Sequence, residues 1–277
     1  MNKERFYRSL EGFSETKDGK LKRNVPKERW DIAHISEEEF WNDFTADSLL
    51  KKTFERYEKK AEILLKEWAK YIKISKNIRI LQIGCGPEDV INHFKKGKKY
   101  SIDPLADFYK KKFKFDYKST HLIKAQGEAI PFPDKHFDIV ILINVLDHTH
   151  LPEKVLNEIN RVLKDKGIFH FENYVFQKRF VNIAKIWSIL KKTFSKKIFN
   201  IHHPYMFTKN DLKVLVSDKF SILHEEIGRD IGNYENFEEL EKAVINSKNP
   251  KLFIPGIFGL LGTFNYTIIC KKISSNK

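Results

Sequence analysis

The sequence predicts an α/β protein built on a doubly wound, mostly parallel sheet with helices on both faces. Three observations lead there. Short apolar runs of strand length alternate with helix-length amphipathic stretches. The first of these runs, Ile78 to Ile83, ends in Gly84-Cys85-Gly86-Pro87. The second, Tyr100-Ser101-Ile102, closes in Asp103-Pro104, about 19 residues beyond Gly84.

The elements follow in order. The first 35 or so residues are polar and broken by Gly12, Gly19 and Pro26, which reads as an irregular arm. Trp30, Phe40, Trp41 and Phe44 would dock it on the main body. Ser36 followed by Glu39 has capping-box spacing and predicts the start of a short helix. A helical period then runs from Ser48 to about Ile74 through Leu49, Tyr57, Ala61, Leu64 and Trp68. After the strand ending in Gly84, Val90-Ile91 and His93-Phe94 read as helical. Leu122-Ile123 is a brief third strand, and Phe137–Ile143 a fourth, apolar enough to be buried on both faces. Pro152 suits the first position of a helix whose apolar face is Val155, Leu156, Ile159 and Val162, with Lys166-Gly167 as its stop. Ile168–Val175 is a fifth strand. Thr208 caps a helix through Leu212 and Leu215, and Phe220–His224 and Tyr266–Cys270 complete the strands.

Composition excludes several classes. The chain has 277 residues, enough for a full core, and 41% apolar content excludes wholesale disorder. Two cysteines exclude a disulfide framework and a four-cysteine zinc site. Met1 to Leu10 is polar and charged, so no signal peptide is expected, and no apolar run reaches the ~18 residues of a membrane span. The expected location is cytoplasmic. The net charge of +14 sits in two windows, 95–124 and 178–199, each carrying +7. This is either solvated lysine or a surface that attracts phosphate, nucleic acid or anionic lipid.

The chemistry begins at the glycine turn. Missing side chains let the backbone approach a ligand, and a following helix offers free N–H groups. Asp103, at the end of the second strand, is placed to take the two hydroxyls of a ribose, or else to cap the helix after Leu105. A metal site from Asp147, His148 and His150 has a loop spacing too common to assign. Cys85 is a packing or backbone position rather than a nucleophile, and no Gly-x-Ser-x-Gly elbow occurs.

Several segments together resemble a known family. They are Leu81-Gln82-Ile83-Gly84-Cys85-Gly86-Pro87, Ile102-Asp103-Pro104, Ile130-Pro131-Phe132-Pro133 with Phe137-Asp138, Asn144-Val145-Leu146-Asp147-His148, and Glu158 to Lys164 with Gly167. From Ile80 to about Tyr174 the chain is similar in order and spacing to the class I S-adenosylmethionine-dependent methyltransferases of small-molecule type, methyltransferase type 11-like. His203-Pro204-Tyr205-Met206-Phe207-Thr208 also resembles a segment these enzymes carry after the fifth strand. The chain departs from the pattern at Gln82 and Gln126, where acids are usual, and at Glu88, where the last glycine of the turn is usual.

The resemblance implies a Rossmann-like seven-stranded sheet with an antiparallel last strand, an N-terminal helical extension and a helical insert after strand five. The divisions are then 1–47, the extension; 48–177, the cofactor-binding core; 178–207, the insert; and 208–277, the rest of the sheet. S-adenosylmethionine is the implied cofactor. Gly84, Cys85 and Gly86 would line its methionyl part, Asp103 with Pro104 its ribose, and Gln126, Gly127 and Glu128 its adenine, with Asn144 beneath the sulfonium.

The acceptor is less defined. If it is a hydroxyl, a histidine is the usual base near neutral pH. His148 follows the fourth strand on the ligand side of the sheet, or merely packs in the loop; His202 and His203 lie on the later segment, and His150 and His170 are further candidates. Lys178 to Phe199 holds seven basic residues, no acid, and an apolar stripe of Phe180, Ile183, Trp187, Leu190 and Phe194. It reads as a lid helix or as a helix at an anionic membrane surface. Leu252 to Leu261 is a buried or lipid-touching loop. The expected function is methyl transfer to a small-molecule or lipid-carried acceptor, such as a surface-glycan sugar, either free in the cytoplasm or peripheral to the inner face of the membrane. The rivals are an RNA methyltransferase and a non-catalytic protein keeping the fold; nucleic acid is the less favoured partner.

Overall fold

Each central strand is apolar on both sides, which forces helices onto both faces of the sheet. The computed structural model describes residues 16–17, 20–21, 25–114, 120–178, 181, 203–228 and 263–273. Its main strands are β1 (Arg79–Ile83), β2 (Lys98–Asp103), β3 (Thr120–Lys124), β4 (Phe137–Ile143), β5 (Leu163–Phe176), β6 (Phe220–Gly228) and β7 (Thr263–Lys272). Its helices are α1 (Lys27–Asn42), α2 (Ala46–Trp68), α3 (Ala106–Phe113), α4 (Pro152–Val162) and α5 (Lys209–Ser217). The strands lie in the order β3-β2-β1-β4-β5-β7-β6. β1 to β5 pair in parallel, and β7 runs antiparallel to both neighbours. This is the Rossmann-like, seven-stranded sheet with an antiparallel last strand that the sequence predicts.

Alternate strand residues feed different cores. Leu81 and Ile83 of β1, with Val140 and Leu142 of β4, pack against Val155, Leu156 and Ile159 of α4. Ile80, Ile139 and Ile141 face the other way, onto Ala61, Leu64 and Trp68 of α2. Burying each such large side chain contributes about 1.5–3 kcal/mol, and the α4 face carries the larger of the two clusters. β1 pairs with β2 on one side and β4 on the other. The connections reverse direction there, which opens a crevice beyond the C-terminal ends of these strands.

The structure corrects several boundaries. The arm is not irregular to residue 35: α1 begins at Lys27, after Pro26 with φ −59°. Proline here starts a helix instead of breaking one, because the first turn needs no N–H from it. Ser36 lies buried in mid-helix and is no cap. α2 ends at Trp68, short of Ile74. Val90–His93 is a single 3-10 turn. Lys166-Gly167 does not stop α4, which passes straight into β5 at Leu163. Pairing shifts there from Phe137–Leu163 to Ile139–Ile168, so the residues between bulge out. A Cβ on Gly167 would come within 2.8 Å of the Asp138 carbonyl oxygen, which explains the glycine. Thr208 does cap α5, in a reciprocal box with Asp211. Most of Lys178 to Phe199, His202 and all of Leu252 to Leu261 lie outside the described residues.

Candidate functional site

The crevice at the switch point holds a cavity of about 400 Å³. β1 and β2 deliver its floor. Gly84 leaves β1 with φ +64° and donates to the Ile102 carbonyl over 2.8 Å. Gly86 follows with φ +65°, a backbone region that other residues enter at a cost. The two glycines serve different ends. A Cβ on Gly84 would lie 2.6 Å from Val145 Cγ1, so packing forbids it; a Cβ on Gly86 meets nothing within 4 Å. The open space beside the main chain belongs to Gly86.

Asp103 ties this turn to β2. Its Oδ2 accepts the Gly86 N–H at 3.0 Å and its Oδ1 accepts the Leu105 N–H at 2.8 Å. Asp103 is not the cap of α3, whose N-cap is Leu105 without a side-chain cap; its carboxylate lines the cavity and braces the two turns. Burial pushes its carboxyl up to about 6, against the pull of those two N–H groups. Each oxygen keeps acceptor capacity for a ligand hydroxyl.

Two more acceptors stand close by. Gln82 Oε1 and Glu88 Oε2 are buried at the cavity wall without a hydrogen-bond partner. Burial pushes the Glu88 carboxyl up to about 7, with the charge of Arg56 pulling the other way. Orphaned acceptors of this kind cost free energy until a donor arrives. Such a pair fits a ligand ammonium group. Two of the three departures from the family pattern, Gln82 and Glu88, therefore sit where a cationic end of a ligand could be held.

The remaining residues predicted for the cofactor all line the cavity, in different capacities. Pro104 lies beside Asp103. Gln126 is exposed, and Gly127 gives close packing, because a Cβ there would lie 3.1 Å from Val155. Glu128 Oε1 accepts from the His150 and Leu151 N–H groups at 2.9 and 3.1 Å, so this side chain caps the entry to α4. Asn144 turns the chain at φ +52°, and its Oδ1 accepts the Tyr174 N–H at 3.1 Å. Cys85 is buried, with its thiol pushed well above the ordinary range by burial. That removes it as a nucleophile.

The histidines separate clearly. His148 lines the cavity, and its carbonyl accepts from Trp30 Nε1 at 2.9 Å. His203 lies behind it, with ring centroids 4.4 Å apart, and its Nδ1 is 2.7 Å from Asp147 Oδ2. Burial opposes both charges of this pair, yet mutual attraction wins. Asp147 is held down at about 2 by His148 and His203, and His203 is raised by Asp147. His150 contributes its main chain to Glu128 and Tyr205. His170 is buried in β5, where its Nδ1 accepts from Trp68 Nε1 at 3.3 Å, remote from the cavity lining.

The sequence reading missed the roof. Trp30, His34, Glu37 and Trp41 of α1 line the cavity, as do Arg56, Tyr57 and Lys60 of α2. The aromatic spacing at Trp30, Phe40, Trp41 and Phe44 was the available signal, but it read as docking only. Lys60 is engaged with Glu172 at 2.8 Å.

The parallel sheet with its glycine turn at the switch point and an acid at the end of the neighbouring strand has the architecture of class I methyltransferases. Residues 81–171 match the family described as a methyltransferase domain, whose cofactor is S-adenosylmethionine. Over 134 residues the chain is 29% identical to thiol S-methyltransferase TMT1B of Mus musculus, covering 46% of this chain and 55% of that protein. Over 119 residues it is 30% identical to a sterol 24-C-methyltransferase of Clavispora lusitaniae, covering 39% of this chain and 31% of that one. The chain thus spans about half or less of the curated relatives it matches. The fold also resembles geranyl diphosphate C-methyltransferase from Streptomyces coelicolor A3(2), solved with S-adenosyl-L-homocysteine, at a TM-score of 0.53 and 13% identity, covering 77% of this chain and 78% of that one.

Proposed function

We propose that this chain transfers a methyl group from S-adenosylmethionine to a small-molecule acceptor seated beneath α1. The observation that carries this is a single cavity running from Gly86 and Asp103 to His148. Bound there, the cofactor supplies a methyl on a positively charged sulfur, transferred by in-line displacement.

The chain's own residues do the rest. Asp103 takes the ribose hydroxyls, and the main chain at Gly86 lies against the methionyl part. Gln82 Oε1 and Glu88 Oε2 accept from the ammonium. Gln126 and Gly127 border the adenine, with Glu128 holding that wall through α4. Trp30, Phe40, Trp41 and Tyr57 exclude water and bury an apolar acceptor. Holding the two reactants in line supplies much of the rate in such a reaction. The Asp147–His203 pair with His148, at the acceptor end, handles the proton that a hydroxyl or thiol must lose.

A lipid-carried acceptor and contact with the inner face of a membrane rest on the composition of Lys178 to Phe199. Among the described residues no helix is long and apolar enough to cross a membrane. Incubation of the purified protein with methyl-labelled S-adenosylmethionine and fractionated cell extract tests the reading. Label in the small-molecule or lipid fraction supports it. Label in RNA, or in no fraction, contradicts it.

A further inference from the structure

Among the described residues, one group of side chains has the make-up of a metal site: Asp147, His148 and His203. One ligand atom from each lies within 4.8 Å of the others. The loop after β4 brings the first two. The third comes from the segment before α5, 56 positions from Asp147. We propose that these three residues bind a divalent first-row transition metal such as Zn²⁺ at the acceptor end of the cavity.

Donor chemistry supports the assignment. Two imidazoles and one carboxylate form a set that Zn²⁺ uses in catalytic sites, leaving a fourth position open. Asp147 Oδ2 stands 2.7 Å from His203 Nδ1 and 3.9 Å from His148 Nε2, so one carboxylate oxygen already faces a nitrogen of each ring. Bonds of about 2.0–2.1 Å would place donors roughly 3.4 Å apart, so the 2.7 Å Asp147–His203 contact would open and the 3.9 Å approach of His148 would close. His148, with 27% of its side chain exposed, has room to make it.

Two further observations point the same way. Asp147 is 4% exposed, and its other oxygen, Oδ1, is buried with no hydrogen-bond partner. An orphaned carboxylate oxygen costs free energy that a cation recovers. Behind His148, Glu37 Oε2 lies 3.8 Å from Nδ1, the ring nitrogen away from Asp147. A carboxylate behind a ligating imidazole is the usual orienting partner. Arg29 donates to the His203 carbonyl at 3.3 Å and adds one positive charge, against the two negative charges of Asp147 and Glu37.

The catalytic consequence rests on the proposed methyl transfer; metal binding itself does not. With the metal bound, Asp147, His148 and His203 are ligands and no longer accept the proton. The open position would take an acceptor hydroxyl or thiol, whose proton passes to water more readily beside the cation. The acceptor atom then forms its bond to the methyl carbon with its own electron pair. The carbon–sulfur bond breaks and returns its pair to sulfur.

Cobalt titration of the chelator-treated full-length protein tests the inference, because Co²⁺ reports low-coordinate nitrogen and oxygen ligation by visible absorption. One equivalent should bind with an intense low-coordinate spectrum and be displaced by Zn²⁺. Asp147→Asn and His203→Ala should abolish that spectrum, and Glu37→Gln should weaken binding about 10–100-fold. An unchanged wild-type spectrum, or variants that bind cobalt as tightly as wild type, would overturn it. S-adenosylmethionine calorimetry on the same samples separates the two claims. Cofactor binding without cobalt binding removes the metal alone, and cobalt binding without cofactor binding removes the methyl-transfer reading alone.

Discussion

Asp103 Oδ2 accepts the backbone N–H of Gly86 at 3.0 Å, so the acid at the end of β2 fixes the turn at the end of β1. The same carboxylate sets the shape of the main chain and presents acceptors to the cavity. Two separate sequence signals are one structural unit.

This pairing gives cofactor affinity a pH dependence. Burial raises the Asp103 carboxyl to about 6 in the free protein. Ribose hydroxyls donate to the charged form, so protonation removes an acceptor. Affinity for S-adenosylmethionine should be constant above neutrality and fall as pH drops below about 6. Asp103→Ala should weaken binding by about 1.5–3 kcal/mol, roughly 10- to 150-fold. Calorimetry across the pH range checks both. Equal affinity at both ends of the range would exclude a carboxylate–ribose contact.

Gly84 and Gly86 should fail differently. Both have positive φ, so alanine at either position is strained by about 1–2 kcal/mol. Only at Gly84 does the new methyl also strike Val145. Gly84→Ala should therefore lower the melting temperature more than Gly86→Ala does, by several degrees. Equal melting temperatures would mean that Val145 moves aside freely.

Asp89 should control stability against pH. It is fully buried, its Oδ1 accepts the Ile91 N–H at 2.9 Å, and the Ser101 hydroxyl donates to its Oδ2. Burial pushes its carboxyl up to about 7, opposed by Ser101, Ile91 and Lys99. The folded state then holds a proton that the unfolded chain releases near pH 4. Stability falls as pH rises from about 4 to about 7, and levels off above. Glu88 and Asp103 are raised as well and tilt the profile the same way. Asp89→Asn keeps the shape and should flatten the slope. Melting curves from about pH 5 to about pH 8 would show an unchanged slope if Asp89 were charged throughout.

Leu156 tests the core beneath the site. It is fully buried in the cluster joining α4 to β1 and β4. Leu156→Ala should cost about 2–5 kcal/mol in chemical denaturation. A loss below about 1 kcal/mol would mean that α4 re-packs and does not hold the Glu128 wall rigidly.

What could be read from sequence alone follows from how local each signal is. β4 was legible to the residue, because Phe137–Ile143 is apolar apart from Asp138 and too short for a lone helix. The turn at Gly84 to Gly86 and the acid at Asp103 were legible because adjacent residues carry them. α1 was not, since Pro26 at a helix start looks like a breaker and the buried face there is Arg29, Ala33 and Ser36, which is hardly apolar. Trp30 and Trp41 gave no hint that the surface they meet is a cavity. The Asp147–His203 pair joins residues 56 positions apart, and nothing at either position announces the other.

The central claim is that the space beside Gly86 holds S-adenosylmethionine. Titration calorimetry of the cofactor into wild-type protein and Gly86→Val tests it most directly, because that side chain projects where no protein atom lies within 4 Å. The account predicts one site per wild-type chain and no detectable heat in the folded variant. Absence of binding to wild type, or equal affinity in Gly86→Val, would contradict it.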